Sequence, residues 1–275
     1  AGKFSAQTGL SSDAQCQGCP AGKFSVAGSG QTSIAVCDQL CSAGKWSAAI
    51  GITSDAQCQG RCSAGKFSAQ TGLTSDIQCQ GRCSAGKWSN ITGLSSDAQC
   101  QGCPAGKFSV AGSGQTSIAV CDQLCSAGKW SAAIGITSDA QCQGRCSAGK
   151  FSAQTGLTSD IQCQGRCSAG KWSDQKGLTL DDQCVACVPG KFHLLHPLGT
   201  ASSSERVCSA CPAGWFQNSA ASTNCQACKA GTWSDQPSMT SDAQCKLCSP
   251  GKWSAEAGRG NDCTRCSSGK WSSQT

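Results

Sequence analysis

Twenty-six cysteines stand in this chain as thirteen close pairs, one pair about every twenty residues from Cys16/Cys19 to Cys263/Cys266. Between nearly every pair the phrase Ala-Gly-Lys-(Phe/Trp)-Ser returns. A fixed period of this length marks an array of small units, each too small to bury a core of its own. The remaining composition leaves no other source of order. Only 38% of the 275 residues are hydrophobic with cysteine counted, Tyr is absent and there is one Met. Cross-links or metal must therefore hold each unit.

A typical repeat runs from Cys62 through Gly65-Lys66-Phe67 and Thr71-Gly72-Leu73 to Cys79, and the next begins at Cys83. Residues 8–89 recur without a change as residues 92–173, a shift of 84, or four repeats. The boundaries read as a partial repeat 1–18, then repeats 19–40, 41–61, 62–82, 83–102, 103–124, 125–145, 146–166 and 167–186. An expanded repeat 187–210, a short one 211–227, two more at 228–247 and 248–265, and a partial repeat 266–275 complete the series. Both ends fall inside a repeat, so a longer parent polypeptide is expected. Gly recurs too often for helix, and no apolar face returns at helical spacing. Cys-(Ser/Pro)-Ala-Gly-Lys reads as a turn, Lys-(Phe/Trp)-Ser as a strand of three or four residues, and Thr-Ser-Asp-x-Gln-Cys as a second turn. The fold class is small disulfide-rich repeats of about 21 residues with short β-hairpins and little or no helix, in an elongated tandem rod. Repeats in such an array are expected to touch only their neighbours, and thirteen would reach roughly 130 Å if each adds about 10 Å.

Fourteen of the fifteen aromatic residues occupy the slot after Gly-Lys or its equivalent: Phe4, Phe24, Trp46, Phe67, Trp88, Phe108, Trp130, Phe151, Trp172, Phe192, Phe216, Trp233, Trp253 and Trp271. Trp215 takes the lysine slot instead. One ring per repeat suits packing over that repeat's disulfide or against the neighbouring repeat. On this reading the ring alone supplies the miniature core. A ladder of rings for carbohydrate is the other use of such a series.

Paired knuckles of the form Cys-x2–3-Cys also resemble zinc ribbons. Thirteen knuckles in an unbroken series have no natural grouping into twos, and their spacers alternate between two and three residues without regard to parity. Disulfides are the better account. Bridging the two cysteines of a close pair would leave the long segments unconstrained. Bridging the second cysteine of one pair to the first of the next closes a loop around each Gly-Lys-aromatic phrase. This frame gives Cys19–Cys37, Cys41–Cys58, Cys62–Cys79, Cys83–Cys100, Cys103–Cys121, Cys125–Cys142, Cys146–Cys163 and Cys167–Cys184. It continues with Cys187–Cys208, Cys211–Cys225, Cys228–Cys245 and Cys248–Cys263, and leaves Cys16 and Cys266 without a partner in this stretch. Such bonds persist in oxidising compartments, so the chain is expected outside the cell, secreted or at its surface.

Cys16-x-x-Cys19-Pro-Ala-Gly-Lys-Phe-Ser and its copy at Cys100 to Ser109 resemble the ephrin-receptor-like cysteine-rich repeat, akin to the first small module of tumour necrosis factor receptor domains. Cys208-x-x-Cys211-Pro-Ala-Gly and Cys245-x-x-Cys248-Ser-Pro-Gly-Lys-Trp-Ser are similar to it too. The resemblance recurs in register along the whole chain. It implies the same disulfide frame, and a function ranging from signalling receptors to long arrays in surface and fibrous proteins of protists and algae. The chain differs from receptor modules in having no Tyr at the aromatic slot and no alternating second kind of module.

Other chemistry is sparse. His193 and His196 are the only histidines, so no catalytic constellation, cofactor site or metal site is expected, and the chain reads as a non-enzyme. Asp13, Asp55, Asp76, Asp97, Asp139 and Asp160 recur three residues before a cysteine; they could pair with the repeat lysines Lys23, Lys45 and Lys66 and their successors, or hold calcium. Asn90-Ile91-Thr92 is a glycosylation sequon whose duplicate carries Asp174 instead. The net charge of +6 is spread as single lysines, which is no nucleic-acid footprint, and no stretch is long and apolar enough to span a membrane. The leading expectation is a structural shaft of an extracellular filament, surface hair or coat. Its partners would be copies of itself, other extracellular structural proteins, or glycans. The alternative is a receptor-like stalk or ligand-binding array, whose site would fall in the divergent stretch from Val188 to Cys228.

Overall fold

A computed structural model of the chain describes residues 1–193 and 208–270. Leu194, Leu195, His196, Pro197 and Trp271 lie outside the described residues, as does most of the expanded loop before Cys208.

The regular repeats are built by the same local steps. In the repeat opening at Cys41, Ser42-Ala43-Gly44-Lys45 makes a turn closed by the Lys45 amide donating to the Ser42 carbonyl at 3.0 Å. Gly44 takes φ +79° there, which is the conformation that position of the turn requires. The strand Lys45–Trp46 follows and pairs antiparallel with Gly60–Arg61, in the register Lys45↔Arg61 and Trp46↔Gly60. The three or four residues expected from spacing shrink to two, because the chain must turn toward the next repeat directly after the ring. Gly60 has no side chain because the indole of Trp46 lies on it: a Cβ there would sit 2.2 Å from Trp46 Cδ2.

The second turn is a single 3-10 turn, Asp55–Gln57 in this repeat. Its glutamine does most of the tying. The Gln78 Oε1 of the next repeat accepts from the Thr74 amide at 2.6 Å, the Thr74 hydroxyl at 3.0 Å and the Ser75 amide at 3.2 Å. This is the side-chain half of a capping box, in which a glutamine three residues on satisfies the amides that precede a helical turn.

Twelve disulfides close the described loops, from Cys19–Cys37 to Cys248–Cys263. Their Cα atoms lie 5.4–5.8 Å apart, within the span that a bridge covers without moving the backbone. The remaining bridges are Cys41–Cys58, Cys62–Cys79, Cys83–Cys100, Cys103–Cys121, Cys125–Cys142, Cys146–Cys163, Cys167–Cys184, Cys187–Cys208, Cys211–Cys225 and Cys228–Cys245. Cys16 and Cys266 are half-buried and have no disulfide partner among the described residues.

The core is shared between repeats. Cys62, Leu73 and Cys79 form one cluster, and the ring packed on it is Trp46 of the preceding repeat. Phe24 covers Cys41, Ile52 and Cys58 in the same way, and Phe67 covers Cys83, Leu94 and Cys100. The ring therefore sits on the neighbour's disulfide and does not act alone. The aliphatic residue after the second glycine, 3% exposed at Leu73, is the other half of these cores. Burying a side chain of that size contributes roughly 2 kcal/mol.

Backbone pairing follows the same route. Trp46 bridges Leu73 in parallel, the Ser47 amide donates to the Leu73 carbonyl at 3.1 Å, and the Gly72 amide donates to the Cys41 carbonyl at 2.8 Å. Contact also reaches one repeat further than expected. A Cβ on Gly22 would lie 2.2 Å from the Gly72 carbonyl oxygen, and one on Gly44 would lie 2.3 Å from that of Gly93. Turn glycines such as these thus abut the backbone of the next-but-one repeat, whereas Gly231 and Gly251 near the end have nothing within 4 Å. The expectation of contact between immediate neighbours alone is corrected by this approach, which no Cβ would permit.

The contacts fall into two compact units. The first comprises Ala1–Cys125 with Ser131–Cys142, and the second comprises Ser126–Trp130 with Gln143–Thr275. Inside the first, Phe108 packs with Cys125, Ile136 and Cys142. Inside the second, Trp130 covers Cys146, Leu157 and Cys163, and Phe151 covers Cys167, Leu178 and Cys184. The second unit keeps the plan through its irregular repeats, where Phe216 joins Cys228 and Met239.

Candidate functional site

Among the described residues no single cleft gathers the chemistry; a small site recurs in most of the regular repeats instead. Its charged part is a lysine from the first strand set against the aspartate of the 3-10 turn across the disulfide loop. Lys66 Nζ lies 2.8 Å from Asp76 Oδ2, and the Ser63 amide donates to Asp76 Oδ1 at 2.7 Å. Lys150–Asp160 and Lys171–Asp181 repeat the pair at 2.8 and 2.7 Å, and Lys45–Asp55, Lys87–Asp97, Lys3–Asp13 and Lys252–Asp262 are paired likewise. Lys23 departs from the expected series. Its loop carries Ile34 in the aspartate slot, and that loop's 3-10 turn is Ile34–Val36.

The lysine holds the Asp76 carboxyl below its ordinary 3.8, against the opposing effect of burial and with help from the Ser63 amide and hydroxyl. At Asp55, Asp97, Asp160 and Asp181 burial pushes the carboxyl up most strongly of any single influence. The lysine and the serine together outweigh it, so these groups also end below 3.8. A carboxyl whose pKa falls on folding stabilises the fold fully above its unfolded value and loses that contribution as pH drops through the folded one. Thermal stability of the oxidised chain should therefore be flat from pH 7 to about 4 and decline below it, by about 0.5 kcal/mol per partly exposed pair. Melting curves of the Asp76→Asn and Asp160→Asn double variant should start lower at pH 7 and fall less steeply below pH 4. An unchanged acid slope would remove these pairs from the account.

The aromatic part of the site is mostly spent on packing. Phe24 and Phe108 are buried at 8% exposure, and Trp46, Phe67, Trp88, Trp130, Phe151 and Trp172 are half-buried. The indole N–H of Trp46 donates to the Arg61 carbonyl and that of Trp130 to the Arg145 carbonyl, each at 3.2 Å. Both acceptors are the third residue of a Gln-Gly-Arg knuckle. Trp88 faces the two-residue knuckle Gln101-Gly102, and its buried Nε1 has no hydrogen-bond partner.

The serine after the ring was not singled out from sequence, yet it is buried wherever it recurs from Ser25 to Ser254. Its hydroxyl accepts the amide two residues on, as Ser47 does from Ala49 at 3.2 Å, which turns the chain from the strand into the outer loop. The residue between them always points outward: Val26 is 72% and Val110 74% exposed, and Asn90 occupies the same exposed slot.

In the divergent stretch, His193 takes the serine position; its amide donates to the Ser222 carbonyl and its carbonyl accepts from Gly170. Trp215 is 37% exposed, and its ring lies within 3 Å of where a Gly258 Cβ would stand, so it too serves the contact between next-but-one repeats. Ala221 and Ser238 adopt φ +55° and +59°, a left-handed conformation that glycine supplies in the regular repeats. Among the described residues no three His, Cys, Asp or Glu side chains are grouped to hold a metal ion.

Residues 199–245, which begin inside this divergent stretch and run to Cys245 of the repeat after it, match the family model described as tyrosine-protein kinase ephrin type A/B receptor-like. They are an ephrin-receptor-like cysteine-rich module. The strand pairing and disulfide frame of that module are those of the other repeats, as Trp215–Phe216 against Gln226–Ala227 and Cys211–Cys225 illustrate. No curated protein matches the chain. Modules of this kind, closed by disulfides throughout, point to an extracellular or cell-surface location.

Proposed function

We propose that this chain is a shaft segment of an extracellular filament, surface hair or coat. Its ephrin-receptor-like repeats act mechanically, without a catalytic step. The observation that carries this reading is that ring, neighbouring disulfide and inter-repeat backbone pairing recur in one register along most of the array, so that successive modules present similar surfaces. Identical surfaces at regular intervals are the condition for open assembly from copies of one chain. Under load, force passes through each bridge and the short knuckle after it, and the loop between is spared. Electron microscopy of the secreted chain at rising concentration tests the proposal. Regular filaments with a spacing commensurate with the repeats are expected. Dispersed particles at every concentration, capturing a soluble partner, would replace it with the receptor-like reading. That second reading draws support from the family match, which falls on the stretch where repeat lengths diverge.

A further inference from the structure

We infer that Asn90 carries an N-linked glycan, one per chain in the residues described. Asn90-Ile91-Thr92 is the only Asn-x-Ser/Thr sequence in the 275 residues. A sequon alone is a weak pointer, and the fold supplies the second one. Asn90 sits in the slot between the buried serine and the amide that serine caps: Ser89 Oγ accepts from the Ile91 amide at 3.1 Å. All three residues of the sequon are exposed, Ile91 at 53%. The slot is outward in its neighbours too, where Val26 and Val110 project at 72% and 74% exposure. A branched sugar there meets solvent and leaves ring, disulfide and glycine contact untouched. An extracellular location supplies passage through the compartments where glycosyl transfer takes place.

The reaction joins the Asn90 carboxamide nitrogen to the anomeric carbon of a sugar carried on an activated diphosphate donor. The anomeric C–O bond breaks, the diphosphate leaves with its electron pair, and the carboxamide gives up one N–H proton to the transferring enzyme's base. The Thr92 hydroxyl, two residues on, completes the recognised sequence.

Intact mass of the full chain secreted from a eukaryotic cell line, before and after N-glycosidase digestion, tests the inference. A mass excess of a whole glycan that digestion removes is expected. It should vanish in both Asn90→Gln and Thr92→Ala, with the melting temperature of the undigested variants unmoved. A second arm installs the sequon in the duplicate slot by Asp174→Asn with Lys176→Thr, and should add a second glycan of similar mass. A wild-type mass equal to the polypeptide alone would overturn the inference, as would an excess that survives in Asn90→Gln. This outcome is independent of filament formation, which the microscopy reads separately.

Discussion

Held between a surface and a force probe, the oxidised chain is expected to lengthen only after a thiol reductant is added, and then in steps of about 50 Å. The size follows from the loops. Cys62 and Cys79 are 17 residues apart in sequence but 5.6 Å apart at Cα. An extended chain spans at most about 3.3–3.6 Å per residue, so each such bridge hides roughly 50 Å. Two loops give the trace a signature. Cys211–Cys225, at a separation of 14, should release about 40 Å, and Cys187–Cys208, at 21, about 65 Å. Without tension, the same reduction should unfold the chain. A loop of this length contributes roughly 3 kcal/mol by restricting the unfolded state, and each repeat has little else to offer beyond one ring and one aliphatic side chain. Full extension before any reductant is added would mean that the bridges do not carry the load. A reduced chain that kept its amide protection would mean that they do not hold the fold.

The period, the hairpins and the lack of α-helix among the described residues were legible because they rest on local chemistry: a glycine turn, a two-residue strand and closely spaced cysteines. Two parts of the fold were hidden for opposite reasons. Leu73 and its counterparts complete most of the cores, but one aliphatic residue in about 21, replaced by Gln31 and Gln115 in two repeats, makes no periodic pattern beside the more conspicuous ring. The glycine of Ala-Gly-Lys was explained already by its turn, so nothing in sequence called for a second role. Yet it is where one repeat meets the next but one. Some signals were present and unread. Ser75-Asp76-Ile77-Gln78 is a capping-box spelling, and its glutamine binds the amides before the 3-10 turn. Ile34 in the aspartate slot already showed that Lys23 would lack the partner its siblings have. The slot of Asn90 was found as a motif, but its outward direction depends on the buried hydroxyl of Ser89, which only packing reveals.

Gly44→Ala should be strongly destabilising, and two other glycines separate the reasons. Gly112 has an ordinary φ and nothing within 4 Å of a Cβ, so Gly112→Ala should leave stability unchanged or raise it by a few tenths of a kcal/mol. Gly30 has φ +79° with open space around it, so Gly30→Ala should cost about 1–2 kcal/mol through backbone strain alone. Gly44 has the same φ, and its Cβ would also meet the Gly93 carbonyl oxygen at 2.3 Å and the Leu94 carbonyl oxygen at 2.9 Å. Those obstacles are backbone atoms of a loop closed by Cys83–Cys100, so they cannot swing aside as a side chain would. The substitution must part the two repeats, at about 3 kcal/mol or more by the scale of buried overpacking added to strain. Because an array can open locally, amide exchange reads this better than a global melt. The Gly93 amide, bonded to the Cys62 carbonyl at 2.7 Å, should exchange on the order of 100-fold faster in Gly44→Ala than in wild type. Gly30→Ala should leave that amide unchanged, since it strains a turn three repeats away. If Gly44→Ala behaved like Gly30→Ala, the approach of next-but-one repeats would contribute nothing to stability, and the turn alone would account for the glycine.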